Sequence, residues 1–188
     1  MPKIVDRDEV QRRLLRAAGS VLRREGIGKL TFDAMATEAG LSKGGVLHYF
    51  RSKQHVLEAL VNASMEAFEQ AVDALAAADS EPIGAWTRAY LLVSAAPGSA
   101  GQHTGYAVAW ANDPALLALV QHHYDAWNNR LANDGIDPVI ATLVRLAADG
   151  LWQADGLRLS PPEGESRQAL LQQLVALTHT SKPQSGSQ

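Results

Sequence analysis

The chain has 188 residues, 46% of them hydrophobic, no cysteine and a formal net charge of −3. That length buries a sizeable core and allows either one domain or a small head joined to a larger body. The missing cysteine removes disulfides, thiolate metal sites and cysteine nucleophiles together, and no run reaches the ~18 apolar residues that a membrane span needs.

The start, MPKIVDRDEVQRR, has no apolar leader, so a soluble, cytoplasmic protein without a membrane partner is expected. Charge is unevenly spread. Residues 1–53 hold 11 Lys/Arg against 6 Asp/Glu, a balance of +5, and residues 54–188 hold 6 against 14, a balance of −8. The basic end can neutralise phosphates, and the acidic remainder should face away from a polyanion. Arg12, Arg13, Arg16, Arg23 and Arg24 also fit the solvated face of an amphipathic helix.

Periodicity is helical nearly throughout, and no alternating β-branched run is long enough to demand a sheet, so the expected fold class is all-α. The first helix is predicted over 7–25, with Val10, Leu14, Ala17, Val21 and Leu22 on one side and Gly26 as a left-handed stop. Thr31 is a candidate N-cap for a second helix that turns Phe32, Met35 and Ala36 inward.

Residues 31–53, TFDAMATEAGLSKGGVLHYFRSK, have the spacing of a helix-turn-helix. Two helices crossing at about 90–120° need a small side chain where their backbones approach, and Ala36 supplies it. Gly40 can take the positive φ of the turn, Ser42 can cap a third helix over about 43–49, and Val46 would plug that helix back onto the second. Phe50 then packs, and Ser52 caps a long helix over 53–78 with the stripe Leu57, Leu60, Val61, Phe68, Val72 and Leu75.

Further along, Asp113-Pro114 and Asp137-Pro138 pair an acid at the N-cap with a proline at the first helical position. Ser80 before Glu81-Pro82 gives a weaker version, and Pro161-Pro162-Glu163 opens the last helix. Helices are therefore expected over 82–95, 101–112, 114–133, 138–154 and 163–178. The domains expected are a head over 1–52, a helical body over 53–179 and a polar, disordered tail over 180–188.

Residues 7–60, and above all LTFDAMATEAGLSKGGVLHYFRSKQHVLEAL, resemble the DNA-binding head of the TetR/AcrR family of bacterial transcriptional regulators. Thr31, Ala36, Gly40-Leu41-Ser42, Phe50 and Ser52-Lys53 are the landmarks that carry the resemblance. It implies a homodimer on a palindromic operator in double-stranded DNA, with half-sites spaced by about 34–36 Å or a multiple. Phosphate contacts would come from Thr31, Ser42, Tyr49 and Lys53, and base-edge contacts from Lys43, Gly44, Gly45 and His48. Leu47 stands where relatives often have tyrosine, which puts that residue's phosphate contact in doubt.

All four tryptophans lie in the body, three of them with a tyrosine at helical spacing. Trp86, Tyr90, His103, Tyr106, Trp110, Tyr124 and Trp127 are the candidate lining of a site for a small hydrophobic effector; each also suits an ordinary core. With Arg88, Arg130 and Arg145 as the main bases of this region, a neutral or mildly cationic ligand fits better than a polyanion. Dimerisation is expected on the last two helices, through Ile140, Leu143, Val144, Ala147 and Leu151, with Val139, Leu146 and Gly150 on another side, and through Leu170, Leu171, Leu174, Val175 and Leu177.

The resemblance further implies that effector binding tilts the long helix and releases the heads from DNA, a repressor mechanism. One alternative is a regulator that answers a protein partner or no ligand. Another is a metal-dependent hydrolase using His103, His122 and His123 with Asp113 or Asp125. Adjacent histidines on a helix diverge by about 100°, and neither HExxH nor GxSxG occurs, so no metal, cofactor or catalytic residue is expected.

Overall fold

Three of the first four helices begin at a residue whose chemistry forces the boundary. In the computed structural model, which describes residues 7–99 and 113–179, α1 runs Arg7–Glu25, α2 Phe32–Ala39, α3 Lys43–Tyr49 and α4 Lys53–Ala77. Thr31 Oγ1 accepts from the Ala34 amide at 3.1 Å, Ser42 Oγ from Gly45 at 3.1 Å and Ser52 Oγ from His55 at 3.0 Å. Each hydroxyl satisfies an amide that the first helical turn leaves unpaired.

Gly26 departs from expectation. Its φ is +80° but its ψ is 171°, so it is not a left-handed stop; it leads into a short 3₁₀ turn, Ile27–Lys29, that the sequence did not announce. Gly40 does adopt the left-handed conformation, with φ 61° and ψ 41°, and the amides of Gly40 and Leu41 return to carbonyls of α2.

The described residues form two compact units that part inside α4. The first holds residues 7–64 with 113–120. Its core is Leu14, Ala18, Val21 and Leu22 of α1, Leu30, Met35 and Ala36, Val46 of α3, Phe50, and Val56, Leu57, Leu60 and Val61 of α4, all buried. α2 packs against both α1 and α3.

The second unit holds residues 65–99 with 121–179. It contains α5, Ala85–Ser94, most of α6, Pro114–Ala132, then α7, Pro138–Leu157, and α8, Gly164–Thr178. α5 is buried nearly all round and packs against α7 and α8. Asp113 and Asp137 cap α6 and α7 as expected: Asp113 Oδ1 accepts from Ala115 at 2.9 Å and Asp137 Oδ1 from Val139 at 2.8 Å. Pro82 does not open α5, which starts three residues later after a left-handed Gly84 that offers no side-chain cap. Leu75, placed in the inward stripe of α4, is exposed. The helix expected over 101–112 and the tail over 180–188 lie outside the described residues. Among those described there is no strand, and no helix is long and apolar enough to cross a membrane.

Candidate functional sites

In the first unit, caps and turn place the expected contact residues on neighbouring surfaces. Thr31, Asp33, Lys43 and Lys53 line one open cleft of about 270 Å³. Lys43 Nζ donates to Asp33 Oδ2 at 2.8 Å, and both side chains are more than half exposed. Lys53 Nζ donates to the Ile27 carbonyl, so its ammonium is held at the 3₁₀ turn between α1 and α2. His48 is exposed and meets the half-buried Tyr49 edge to face at 5.3 Å. Leu47 is 43% exposed on the same short helix.

The two glycines of α3 are not demanded by packing. A Cβ at Gly44 would meet nothing nearer than Ser42 Oγ at 3.9 Å, and one at Gly45 would make an ordinary 3.4 Å contact with the same atom. Their bareness costs helix propensity, about 1 kcal/mol each, without relieving any clash. It leaves a flat surface that another molecule's groove can approach.

The second unit is organised around aromatic rings. Phe68 of α4 lies 5.1 Å from Tyr90 and 4.9 Å from Trp127, centroid to centroid. Trp86 is 5.7 Å from Tyr90, and Tyr124 is 5.2 Å from Trp127. Four of the seven expected effector-site residues, Trp86, Tyr90, Tyr124 and Trp127, thus share one cluster. His103, Tyr106 and Trp110 lie outside the described residues. Phe68, listed in the sequence only as part of the inward stripe, is a member because α4 turns it toward α5 and α6.

Charged groups bracket the rings. Arg130 sits 4.6 Å over the Trp86 ring and pairs with Glu69 at 3.0 Å and with Asp73. Trp86 Nε1 donates to Asp73 Oδ1 at 2.9 Å. Burial works to raise the Asp73 pKa, but bonds from Arg130 and Trp86 outweigh it, and the carboxyl lies below its ordinary value. On the other side, Tyr90 Oη donates to Asp149 Oδ1 at 2.7 Å and Arg145 to Asp149 Oδ2 at 2.8 Å. Burial still pushes the Asp149 carboxyl above its ordinary value, against the pull of Tyr90 and Arg145. Burial likewise raises both phenols, Tyr124 to about 12.

Asp149 and Asp73 escaped the sequence reading. An acid within the apolar run Ala147-Ala148-Asp149-Gly150-Leu151 was the available signal for the first; nothing marked the second. Asp134 escaped too. Its Oδ1 accepts from the Trp86 amide at 3.2 Å and its Oδ2 from the Thr87 amide and hydroxyl at 2.7 Å each. It caps α5 from the loop between α6 and α7, a role that its Asp-Gly context disguises as an ordinary turn.

The expected dimer residues divide. Val144, Leu151 and Leu174 are buried inside their own chain, because the face of α7 that carries Ala141, Val144, Ala148 and Leu151 is the buried one. Ile140, Ala147 and Leu177 are half-buried. Leu143 and Leu170 are exposed. The outward stripe of α7 is therefore Val139, Leu143, Leu146 and Gly150, and this corrects the face chosen from the sequence.

Two family models match the chain. Bacterial regulatory proteins of the tetR family match residues 14–60, and a tetracyclin repressor-like C-terminal domain matches residues 84–179. No curated protein matches. Among solved structures, a TetR-family member from Streptomyces coelicolor is 22% identical, covering 88% of this chain and 98% of its own, with a TM-score of 0.69. A transcriptional regulator from Rhodococcus is 20% identical over 88% of this chain and 94% of its own, with a TM-score of 0.68. The multidrug binding protein EbrR with malachite green is 23% identical over 87% of this chain and 96% of its own, with a TM-score of 0.66, and EbrR with ethidium is similar as well.

Proposed function

The chain belongs to the TetR family of bacterial transcriptional regulators, and from that premise we propose that it is a repressor. It binds a palindromic operator as a homodimer and is released by a small hydrophobic effector. The observation that carries this reading is the cleft around Thr31, Lys43 and Lys53 beside a reading helix left bare at Gly44. Thr31, Ser42, Tyr49 and Lys53 contact phosphates, and Lys43, Gly44, Gly45 and His48 face base edges. Lys43 is already bonded to Asp33, so its move onto guanine exchanges one charge-assisted bond for another.

The second copy covers the stripe Val139, Leu143, Leu146 and Gly150, joined by Leu170. Three large exposed apolar side chains at i, i+4 and i+7 form one contiguous face, and Gly150 lets a partner helix come close. The effector enters the ring cluster of Trp86, Tyr90, Tyr124 and Trp127; small molecules held by EbrR support a ligand for this chain also. Phe68 belongs both to that cluster and to α4, so an effector that displaces it shifts α4 toward a state unfit for the operator. The shift equals the effector's differential affinity for the two states.

The test is to select bound fragments from sheared genomic DNA with the wild-type chain and with Leu143→Glu. Recovery of a two-fold site by a dimer, and its loss with a monomeric variant, supports the reading. A dimeric Leu143→Glu variant would refute the interface, and recovery of no preferred sequence would refute the operator.

A further inference from the structure

Within the ring cluster one polar atom is left over. Trp127 is 2% exposed, and its Nε1–H is the buried side-chain donor that has no hydrogen-bond partner among the described residues. Phe68, Tyr90, His123 and Tyr124 surround it with rings at 4.9–6.1 Å between centroids. An indole N–H withdrawn from water without an acceptor costs about 1–3 kcal/mol, and tryptophans buried for packing alone usually find a partner. Trp86, in the same cluster, does find one in Asp73.

The charged groups of the cluster are, in contrast, all bonded. Asp73 is bonded by Arg130 and Trp86, and Asp149 by Arg145 and Tyr90. Glu69 is taken by Arg130. Three carboxylates share two arginines, so the cluster does not favour an anion, and each of the five groups already has a hydrogen-bonding partner. What the cluster lacks is a single acceptor.

We propose that the effector is a flat molecule carrying a hydrogen-bond acceptor, and that Trp127 Nε1–H is the donor that selects it. Its flat body stacks among Phe68, Tyr90 and Tyr124 while its acceptor meets the indole. This rests on the effector-site reading above and narrows it.

Two flat tricycles of similar size separate the possibilities by equilibrium dialysis: 9-fluorenone, which carries one carbonyl, and fluorene, which carries none. Fluorenone is expected to bind about tenfold tighter than fluorene, the effect of one net hydrogen bond. In Trp127→Phe, which keeps a ring and removes the donor, fluorenone should fall to the level of fluorene. In the wild-type chain, the indole proton resonance of Trp127 should move downfield with fluorenone and not with fluorene, a readout that does not depend on the variant folding.

Equal binding of the two tricycles, a preference that survives in Trp127→Phe, or an unmoved indole resonance would overturn the proposal. Failure of both to bind the wild-type chain would remove the effector-site reading with it.

Discussion

Two helices of this protein receive their N-terminal caps in opposite ways. In the head, α3 is capped by Ser42, the residue immediately before it. In the body, α5 begins after Gly84, which has no side chain to offer, and the cap arrives from Asp134, 48 residues beyond Trp86 and 47 beyond Thr87. The same contrast runs through both regions. The head is held by near neighbours: hydroxyl caps, a left-handed Gly40, and Val46 against α2. The body is held by pairs distant in sequence, such as Tyr90 with Asp149 and buried Arg88 with Thr178. Local closure keeps a short reading helix in place, whereas distant closure ties the folding of the body to the packing of its ring cluster.

If the contrast holds, removing the distant cap should do more damage than removing a local one. Asp134→Ala strands the amides of buried Trp86 and Thr87, and about 3 kcal/mol of stability should disappear. Urea denaturation followed by tryptophan fluorescence reads this directly, because all four tryptophans lie in the body. A loss below about 1 kcal/mol would mean that α5 is held by packing alone.

In the head, Gly40→Ala places a Cβ on a residue with φ of +61°, 3.0 Å from the guanidinium of exposed Arg13. The left-handed backbone costs an L-residue about 1–2 kcal/mol, and the arginine can swing aside, so a fall of that size in head stability is expected by hydrogen exchange of α2 and α3 amides. Ser42→Ala should cost about 1 kcal/mol by the same measurement, the ordinary worth of a hydroxyl cap. A Ser42 loss larger than that of Asp134→Ala would invert the comparison.

The smallest effect is one of pH. Asp149 has its pKa raised by burial above the ordinary 3.8, so the folded state holds its proton more tightly than the unfolded chain does. Stability from this group therefore rises as pH falls through the folded pKa, and the gain is complete below the unfolded value. Measured against Asp149→Asn, the wild-type chain should become relatively more stable between pH 7 and 4. The carboxyls with lowered values, Asp73 among them, act in the opposite direction but cancel in this difference. A relative loss of stability on acidification would show that Arg145 and Tyr90 outweigh burial.

The same distinction explains what could be read from the sequence. Boundaries set by adjacent residues were legible: α2 to α4 begin where Thr31, Ser42 and Ser52 say they must, and α6 and α7 start at their Asp-Pro pairs. Arg88 and Asp79, nine residues apart, carry no pattern that announces an ion pair. Asp134 stands before Gly135 as a turn residue would, and the expected start of α5 at Pro82 missed because its true cap is invisible locally. Helical period identified α7 as apolar on more than one side, but only packing against α5 shows that Val144 and Leu151 face inward and Val139, Leu143 and Leu146 outward. Tryptophan and tyrosine spacing brought Trp86, Tyr90, Tyr124 and Trp127 forward as a group, whereas Glu69 and Asp73 were hidden from Arg130 by distance, and Asp149 stands four residues from Arg145 at a helical spacing that went unread.

The central claim is that α3 reads a specific DNA sequence. Fluorescence anisotropy of a labelled fragment from upstream of the protein's own gene, against a scrambled fragment at about 150 mM salt, tests it most directly, because nonspecific binding is weak there. The account predicts a preference of at least about a hundredfold for the native fragment, and a loss of about 1–3 kcal/mol of that discrimination in Lys43→Ala. Equal affinity of the wild-type chain for both fragments, or a Lys43→Ala variant that discriminates as well as the wild type, would contradict it.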